Sequence, residues 1–140
     1  MREILFRAKS IDKYFKGEWI EGYVFNDGYE NGKMFVGGLE IQEYQGSACN
    51  EWDIVGIDFC EVDANTICQY TGLTDKNGDK IWENDIVKLD EDFYIVTWEK
   101  DDAMFALEDV GLIESFKNAD SKWCEVVGNI IDNPKFFDVA

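Results

Sequence analysis

Three polar residues at alternate positions, Asp75, Asn77 and Asp79, have the types and spacing of the first ligands in a calcium-binding loop. A loop of the EF-hand kind also requires glycine at its sixth position and glutamate at its twelfth. This chain has Lys80 and Ile86 at those two positions, so it lacks both the turn residue and the last ligand. We therefore interpret the three residues as polar groups of a tight turn, and we expect no metal site here.

Other arrangements that catalyse reactions are also missing from the sequence. The chain contains no histidine, which excludes a triad of the serine–histidine–aspartate kind. Serine–lysine pairs and reactive cysteines show no recognisable local pattern, and a pair of carboxylates is uninformative among thirty Asp and Glu residues. Gly37-Gly38 is not followed by the Gly-Lys-Ser/Thr of a phosphate-binding loop. We expect a protein that is not an enzyme, with no catalytic residues and no cofactors.

The cysteines provide no ready metal site. They lie far apart in the sequence, with no pair separated by two residues, at positions Cys49, Cys60, Cys68 and Cys124. A zinc site would have to use these scattered cysteines alone, because histidine is absent. We expect reduced and mostly buried thiols.

Acidic residues give the chain a net charge of −17, from thirty Asp and Glu against thirteen Lys and Arg. Between Met34 and Asp75 there is no Lys or Arg at all, and residues 90–102 contain a single basic residue, Lys100. Such a surface repels the phosphates of nucleic acids and anionic membranes. We therefore expect neither direct nucleic-acid binding nor membrane binding.

Aromatic residues are abundant and could form a stacking platform for a single-stranded nucleic acid. The candidates for that role are Trp19, Tyr23, Phe25, Trp82, Tyr94 and Trp98. Such platforms combine aromatic rings with a basic groove, whereas this chain is strongly acidic. We therefore favour packing in a core or an interface for these rings.

Alternating apolar and polar residues predict that β-strands position most of these side chains. In the first half of the chain we expect strands at residues 4–9, 18–25, 33–36, 39–44 and 52–62. Trp19, Tyr23 and Phe25 would share one face of the second strand, and Ile20 and Val24 would share the other. Because both faces are apolar, we expect this strand in a sandwich, a barrel or an oligomer contact.

Glycine and asparagine mark the turns expected in this half. Asn31-Gly32 predicts a hairpin. Gly37-Gly38 predicts a break between two strands, and Gly56 predicts a bulge or a bend.

In the second half, strands are expected at residues 81–89, 93–99, 104–107 and 124–131. Asn77-Gly78 predicts a type I′ turn, in which both central residues have positive φ. One helix is expected over residues 112–123, where apolar residues recur at the helical spacing. Asn133-Pro134 predicts the start of a last helical turn.

Length and pattern together predict one small domain over residues 1–140. We expect a mainly β fold of antiparallel strands in a barrel or a sandwich, with one or two short helices; an α+β fold is the alternative. The first residues lack the apolar stretch of a signal peptide, and no run approaches the length that spans a membrane. We expect a cytoplasmic protein.

One motif dominates the middle of the chain. It reads Gln-Tyr-Thr-Gly-Leu-Thr-Asp-Lys-Asn-Gly at residues 69–78, followed by Ile-Trp-Glu-Asn-Asp-Ile-Val at residues 81–87. With residues 2–9, 19–23 and 126–134, this motif resembles the YopX family of phage and prophage proteins. The matching segments span nearly the whole chain in the family's order, so the resemblance is specific.

The turns of this motif depend on five residues, Gly72, Asn77, Gly78, Asn84 and Asp85. The family usually has glycine where this chain has Asn84, and asparagine also tolerates a left-handed φ, so we expect the turn geometry to survive. Gly72 is expected to permit a bend, and Asp85 to accept hydrogen bonds from backbone N–H groups. We interpret the five residues as a structural turn motif.

The resemblance implies an origin more than an activity. YopX-like proteins are small products of phages and prophages in bacteria, without an established biochemical function or catalytic residues. No site residue is therefore carried over. The resemblance also implies a bacterial host cell and a tendency to form homo-oligomers, which would suit strands that are apolar on both faces.

Two functions are consistent with the sequence. The first is a non-enzymatic accessory protein that acts by binding an unidentified protein of the host or the phage. The alternative is a DNA mimic, whose carboxylates imitate phosphates and occupy a DNA-binding protein of the host. The net charge of −17 favours this second function.

Overall fold

Antiparallel strands make up most of the structure, a computed structural model that describes residues 3–29, 32–45, 50–109 and 112–138. In these residues there are eleven strands, one short α-helix and one 3₁₀ turn. The predicted mainly β fold of antiparallel strands with one or two short helices is therefore confirmed.

The chain divides into two units. The N-terminal unit is Leu5–Ile67, and the C-terminal unit is Cys68–Ala140 together with Met1–Ile4. A single domain over residues 1–140 stays a prediction.

Four strands form the sheet of the N-terminal unit. They are β1 (Phe6–Lys9), β2 (Trp19–Asn26), β3 (Met34–Gln45) and β4 (Asn50–Val62). Their spatial order is β4-β3-β2-β1, and each neighbouring pair is antiparallel. Asn31 of the predicted hairpin turn lies outside the described residues, but β2 and β3 do pair as a hairpin.

The predicted chain break at Gly37-Gly38 is wrong, because β3 runs through both glycines. Gly37 pairs with Tyr23 of β2 and with Phe59 of β4, and Gly38 pairs with Asp58. A Cβ atom on Gly37 would collide with the carbonyl oxygen of Asp58 and would lie 2.5 Å from the Cα of Phe59. Glycine at this position thus permits a close approach of two strands instead of ending one of them.

The bulge predicted at Gly56 is confirmed. Glu40 pairs with Gly56, whereas the next residue, Ile41, pairs with Ile54. One residue of β4 therefore has no partner in β3, which is the definition of a bulge.

One face of this sheet carries a small apolar core. Ala8, Val36 and Val62 are buried there. The partly buried residues that pack around them are Ile20, Val24, Met34 and Ile67. Because side chains alternate along a strand, Ile20 and Val24 of β2 face this core while their neighbours face the opposite side, as predicted.

The two outer strands of this sheet meet at one end. Ser10, just after β1, forms a bridge with Val62 of β4, and the N–H of Ile11 donates to the carbonyl of Glu61 at 3.0 Å. The sheet is therefore curled, but no closed barrel forms among the described residues.

The C-terminal unit contains a hairpin and a five-stranded antiparallel sheet. The hairpin pairs β5 (Cys68–Thr74) with β6 (Lys80–Trp82). The sheet contains β7 (Asp85–Leu89), β8 (Asp92–Glu99), β9 (Met104–Asp109), β10 (Leu112–Ser115) and β11 (Glu125–Asn129). Its order is β10-β9-β8-β7-β11. The buried core of the unit consists of Ile81, Val87, Val96, Leu107 and Cys124.

The helix predicted over residues 112–123 is wrong over most of its length. Leu112–Ser115 is a strand in an antiparallel ladder with β9, and the helix α1 is limited to Asn118–Ser121. A short apolar run is compatible with the residue spacing of a helix and with that of a strand. Here the hydrogen bonds available at the edge of β9 favour the strand. The predicted last helical turn is also not a helix, because the N–H of Phe136 bonds the carbonyl of Asn133 in a simple turn.

The close approach at Gly37 is testable by a pair of substitutions. Gly37→Ala is expected to lower the free energy of unfolding by about 2 kcal/mol or more, because its methyl group must displace the backbone of β4. Gly38→Ala is the matched control, since its Cβ would meet no atom within 4 Å, and we expect a change below about 0.5 kcal/mol. Urea denaturation of both variants measures the difference. Equal losses would contradict the close approach.

Candidate functional site

The five predicted motif residues lie at one bend and two turns of the C-terminal unit. Gly72 has a φ of 86° and lies where the β5–β6 register shifts between Tyr70 and Thr74. This positive φ favours glycine, which bends β5 without side-chain strain.

Asp75 organises the turn between β5 and β6. Its Oδ1 atom accepts hydrogen bonds from the N–H groups of Asn77 and Asp79, both at 2.9 Å. Its Oδ2 atom accepts a third bond from the N–H of Val126 in β11, at 2.9 Å. Since Gly78 alone of the two central residues has positive φ, the predicted type I′ turn is wrong. The difference from a type I′ turn is explained by the buried carboxylate of Asp75, whose hydrogen bonds hold a wider turn next to β11.

The turn between β6 and β7 is held in a similar way. Asn84 has a φ of 72°; its N–H donates to the carbonyl of Val96 at 2.7 Å, and its carbonyl accepts from the N–H of Ile130 at 3.0 Å. Asp85 is buried, and its Oδ2 accepts from the N–H of Trp82 at 2.8 Å. These contacts give Asn84 and Asp85 a structural role.

The described thiols are poorly suited to nucleophilic catalysis. The structure describes Cys60, Cys68 and Cys124, and the last two are buried. Burial, and then the Asp75 carboxylate, raises the pKa of Cys124 to about 11. Burial, and then Asp12, also raises the pKa of Cys60. Both thiols therefore stay protonated at neutral pH, and the thiolate is the form that reacts.

Neither a cluster of metal ligands nor a membrane-spanning helix is present among the residues that the structure describes. No three Asp, Glu or Cys side chains among them are grouped closely enough to hold a metal ion. No helix among them is long and apolar enough to cross a membrane. Much of the acidic stretch between Met34 and Asp75 falls on side chains outside those described.

Apolar side chains, four of them exposed and Phe35 half-buried, cover the face of the N-terminal sheet that lies opposite its core. We call this surface the aromatic face; its members are Tyr23, Phe25, Phe35, Leu39 and Phe59. Tyr23 is 63% exposed, Leu39 55% and Phe59 46%. Side chains of this size are normally covered in a folded protein, so their grouping on one face indicates a contact surface.

Strand register brings these side chains together from three strands. Phe25 pairs with Phe35, and Tyr23 pairs with Gly37. Gly37 also pairs with Phe59 on the other side of β3. Because alternate residues of a strand point to the same side, all of these positions share one face of the sheet.

Three phenylalanine rings pack against one another at the centre of the aromatic face. The centroids of Phe25 and Phe35 are 5.6 Å apart in a stacked arrangement. Phe59 meets both rings edge to face, at 5.3 Å from Phe25 and 5.5 Å from Phe35. These geometries are favourable for aromatic pairs, so each ring helps to hold the others in position.

A groove runs across the aromatic face. It has a volume of about 420 Å³, and its walls are the side chains of Tyr23, Phe25, Leu39 and Phe59. Its floor is the backbone of residues 37–38, where two glycines leave space that side chains would fill. Among the described residues of this lining, the Tyr23 hydroxyl is the sole polar side-chain group. The groove can therefore accommodate apolar side chains but lacks groups for acid–base chemistry.

The predicted set of stacking aromatics is not brought together. Tyr23 and Phe25 do lie on the aromatic face. Trp82 is buried and packs against Tyr70 with centroids 5.4 Å apart. Trp98 packs edge to face against Phe105 in the C-terminal unit, at 5.0 Å.

Phe35, Leu39 and Phe59 were not predicted from the sequence as members of this surface. Phe35 and Leu39 have the even spacing of residues on one face of a strand. The predicted break at Gly37-Gly38 placed them in separate strands and concealed that relation.

Two comparisons with known proteins gave matches. A family model described as YopX protein matches residues 27–138. The crystal structure of protein EF1440 from Enterococcus faecalis is similar, with a TM-score of 0.58 and 26% sequence identity over 96% of this chain and 98% of that one. A search of curated proteins found no significant match.

The role of Asp75 predicts a large effect of its removal. Asp75→Ala is expected to lower the free energy of unfolding by about 3 kcal/mol, because three backbone N–H groups lose a charged acceptor. Asp79→Ala removes an exposed carboxylate of the same turn and serves as the control. Urea denaturation followed by circular dichroism compares the two variants, and similar small losses would show that Asp75 does not hold the turn.

Asn84 allows a test of the second turn. Asn84→Gly should preserve or raise stability, because glycine adopts a φ of 72° without strain. The substitution removes a contact of Nδ2 with the Cys68 sulfur at 3.5 Å. Asn84→Ala, in contrast, should lower the free energy of unfolding by about 1 kcal/mol. A clear loss of thermal stability in the glycine variant would show that the asparagine side chain itself is needed.

Proposed function

Since this chain belongs to the YopX protein family, we propose that it is a phage- or prophage-encoded accessory protein that binds another protein through its aromatic face. It acts without catalysis, in the cytoplasm of a bacterial host. Family membership confirms the resemblance found in the sequence, and the binding role rests on the surface itself.

The observation that carries this proposal is the exposure of the aromatic face. Tyr23, Leu39 and Phe59 lie beside one another and all are about half exposed or more. Soluble proteins rarely leave large contiguous apolar patches uncovered, and such patches commonly mark interaction sites. Aromatic side chains in addition contribute disproportionately to binding energy at interfaces.

The arrangement of the face also suits binding. The three phenylalanine rings are positioned by their mutual contacts and by the strands below them. A partner therefore meets side chains that are already ordered, which reduces the conformational entropy lost on association. The groove offers space for an inserted apolar side chain of the partner.

Two observations support a role without catalysis. The thiols of Cys60 and Cys124 have raised pKa values, and the sequence contains no histidine. The described residues of the groove lining provide one hydroxyl and no carboxylate or amine. General acid–base catalysis needs positioned groups with pKa values close to the working pH.

A DNA mimic is the second candidate, and the net charge of −17 is the observation that favours it. In that function, surface carboxylates would occupy the DNA-binding site of a host protein. Binding would then depend on long-range electrostatics, which salt screens strongly. An apolar contact depends on salt much less.

Capture from a host lysate tests the proposal when the aromatic face is altered. We expect Tyr23→Ser/Phe59→Ser to retain about a tenth or less of the partner that the unaltered protein captures, since two central aromatic contacts are lost. Trp123→Ser is the matched control, because Trp123 is 75% exposed and lies in the other unit. Circular dichroism checks that each variant is folded.

The same experiment at low and high salt separates the two candidate functions. Capture that persists at high salt and fails in the double variant supports binding through the aromatic face. Capture of DNA-binding proteins that is lost at high salt, with no effect of the double variant, would establish the DNA mimic instead.

A further inference from the structure

One edge of the N-terminal sheet is long and lacks a neighbouring strand. β4 is the outermost strand of this sheet. Its last residues are covered, because Ser10 forms a bridge with Val62 and the N–H of Ile11 bonds the carbonyl of Glu61. Along the rest of β4, no strand of the described part of the chain lies beside this edge. Such an edge is a template on which a further strand can pair.

The backbone groups of Phe59 point out of this edge. The carbonyl of Glu61 accepts from the N–H of Ile11 at 3.0 Å, on the side of β4 away from β3. Because alternate residues of a strand direct their N–H and C=O groups to the same side, those of Phe59 also point away from β3, whereas those of Asp58 point towards it. Neither backbone group of Phe59 has a hydrogen-bond partner within the described residues.

The side chains of Asp58 and Phe59 lie on opposite faces of the sheet. Phe59 pairs with Gly37 and belongs to the aromatic face, where it is 46% exposed. Asp58 pairs with Gly38, so its exposed carboxylate lies on the other face. A strand added to this edge would have one residue opposite Phe59 and the next opposite Asp58.

The face that carries Asp58 is acidic near this edge. Burial, and then the charges of Asp12, Asp58 and Glu18, raise the pKa of the Cys60 thiol, so three carboxylates act on one point beside β4. Asp58 forms no ion pair among the described residues, whereas Glu61 lies 3.8 Å from the amine of Lys33. Opposite charges on directly paired residues stabilise a pair of strands. Charge complementarity therefore favours a basic residue opposite Asp58.

The edges of the C-terminal sheet are less suitable for an added strand. At β11, the N–H of Val126 donates to Asp75, and the carbonyl of Cys124 accepts from the N–H of Lys76 at 3.1 Å. The turn that contains Asp75 thus covers the start of this strand. At the other edge, β10 has only four residues, and a short edge strand offers few groups for pairing.

We propose that the partner protein adds an extended segment to the free edge of β4, as a further strand of the N-terminal sheet. In this segment, apolar residues alternate with lysine or arginine. The apolar side chains continue the aromatic face beside Phe59, and the basic side chains lie on the opposite face beside Asp58. This inference rests on the function proposed above and specifies the kind of segment that is bound.

A second copy of this chain is a less suitable source of the added strand. Its own β4 would bring acidic residues and no Lys or Arg to the new pair. Like charges that face each other destabilise strand pairing. The net charge of −17 on each copy adds a repulsion of longer range.

Amide hydrogen exchange, followed by NMR, tests strand addition directly. The probe is a synthetic peptide with a sequence enriched from a display library of random linear peptides, selected on the unaltered protein. We expect enriched sequences to alternate apolar residues with Lys or Arg. The peptide should slow exchange of the Phe59 N–H by about tenfold or more, because this group gains a hydrogen bond in the new ladder. The N–H of Asp58 points towards β3 in both states and should change much less.

Methylation of single backbone nitrogens in the peptide provides a second measurement. Only one edge of the added strand bonds β4, so methylation at alternate positions should weaken binding about tenfold. Methylation at the intervening positions should leave binding nearly unchanged. Titration calorimetry compares the two sets of peptides.

Charge reversal at the edge tests the basic residues of the segment. Asp58→Lys should weaken binding of the same peptide roughly fivefold, because a basic residue of the peptide then faces a like charge. Asp101→Lys makes the same change in net charge at an exposed turn of the other unit and should have little effect. Circular dichroism checks that both variants are folded. Equal binding by the two variants would reject the basic residues.

Three further results would overturn the inference. Peptide binding that needs Tyr23 and Phe59, without protection of the Phe59 N–H and without an alternating effect of methylation, would reject the added strand and leave binding through the aromatic face intact. A selection without enrichment would reject a linear segment. Protection of the Phe59 N–H in the protein alone, together with a doubled mass in solution, would make a second copy the occupant.

The proposed function has a separate test. It fails only if lysate capture is independent of Tyr23 and Phe59, so its failure is distinguishable from failure of the added strand.

Discussion

The pairing register of β2, β3 and β4 is the constraint on which the N-terminal unit depends. Because side chains alternate along a strand, a shift of one residue would turn Val36 away from the core and bring Phe35 or Gly37 to face it. Gly37 restricts this register sterically, since a side chain there would collide with the backbone of β4. The same pairing that buries Val36 and Ala8 exposes the phenylalanine rings, so the core and the candidate binding surface have one structural origin.

In the C-terminal unit, a buried carboxylate has the corresponding role. Asp75 connects the β5–β6 turn to β11 through three backbone hydrogen bonds, and Asp85 supports the next turn. These residues belong to the motif at residues 69–87, which lies within the segment that the YopX family model matches. That motif therefore maintains the scaffold, whereas the exposed aromatic residues lie in the other unit.

Much of this architecture could be predicted from local patterns in the sequence. Alternation in β2 predicted which residues share a face, and Asn84, where the family usually has glycine, was expected to adopt a positive φ, as it does. Features that depend on distant partners could not be predicted. The strand at Leu112–Ser115 forms because it pairs with β9. The sequence around Gly37 indicates a turn, and only the contact of Gly37 with the backbone of β4 shows that it lies within a strand. The aromatic face was missed for the same reason, since Phe59 reaches Phe25 only across β3.

Hydroxyl-radical footprinting tests most directly whether the aromatic face is a binding surface. The protein alone and its complex with a captured partner would be oxidised and compared by mass spectrometry. We predict that Tyr23, Phe25 and Phe59 react readily in the free protein and are protected in the complex, while Trp123 reacts equally in both. Protection of Trp123, with the three residues of the aromatic face oxidised as before, would contradict the account.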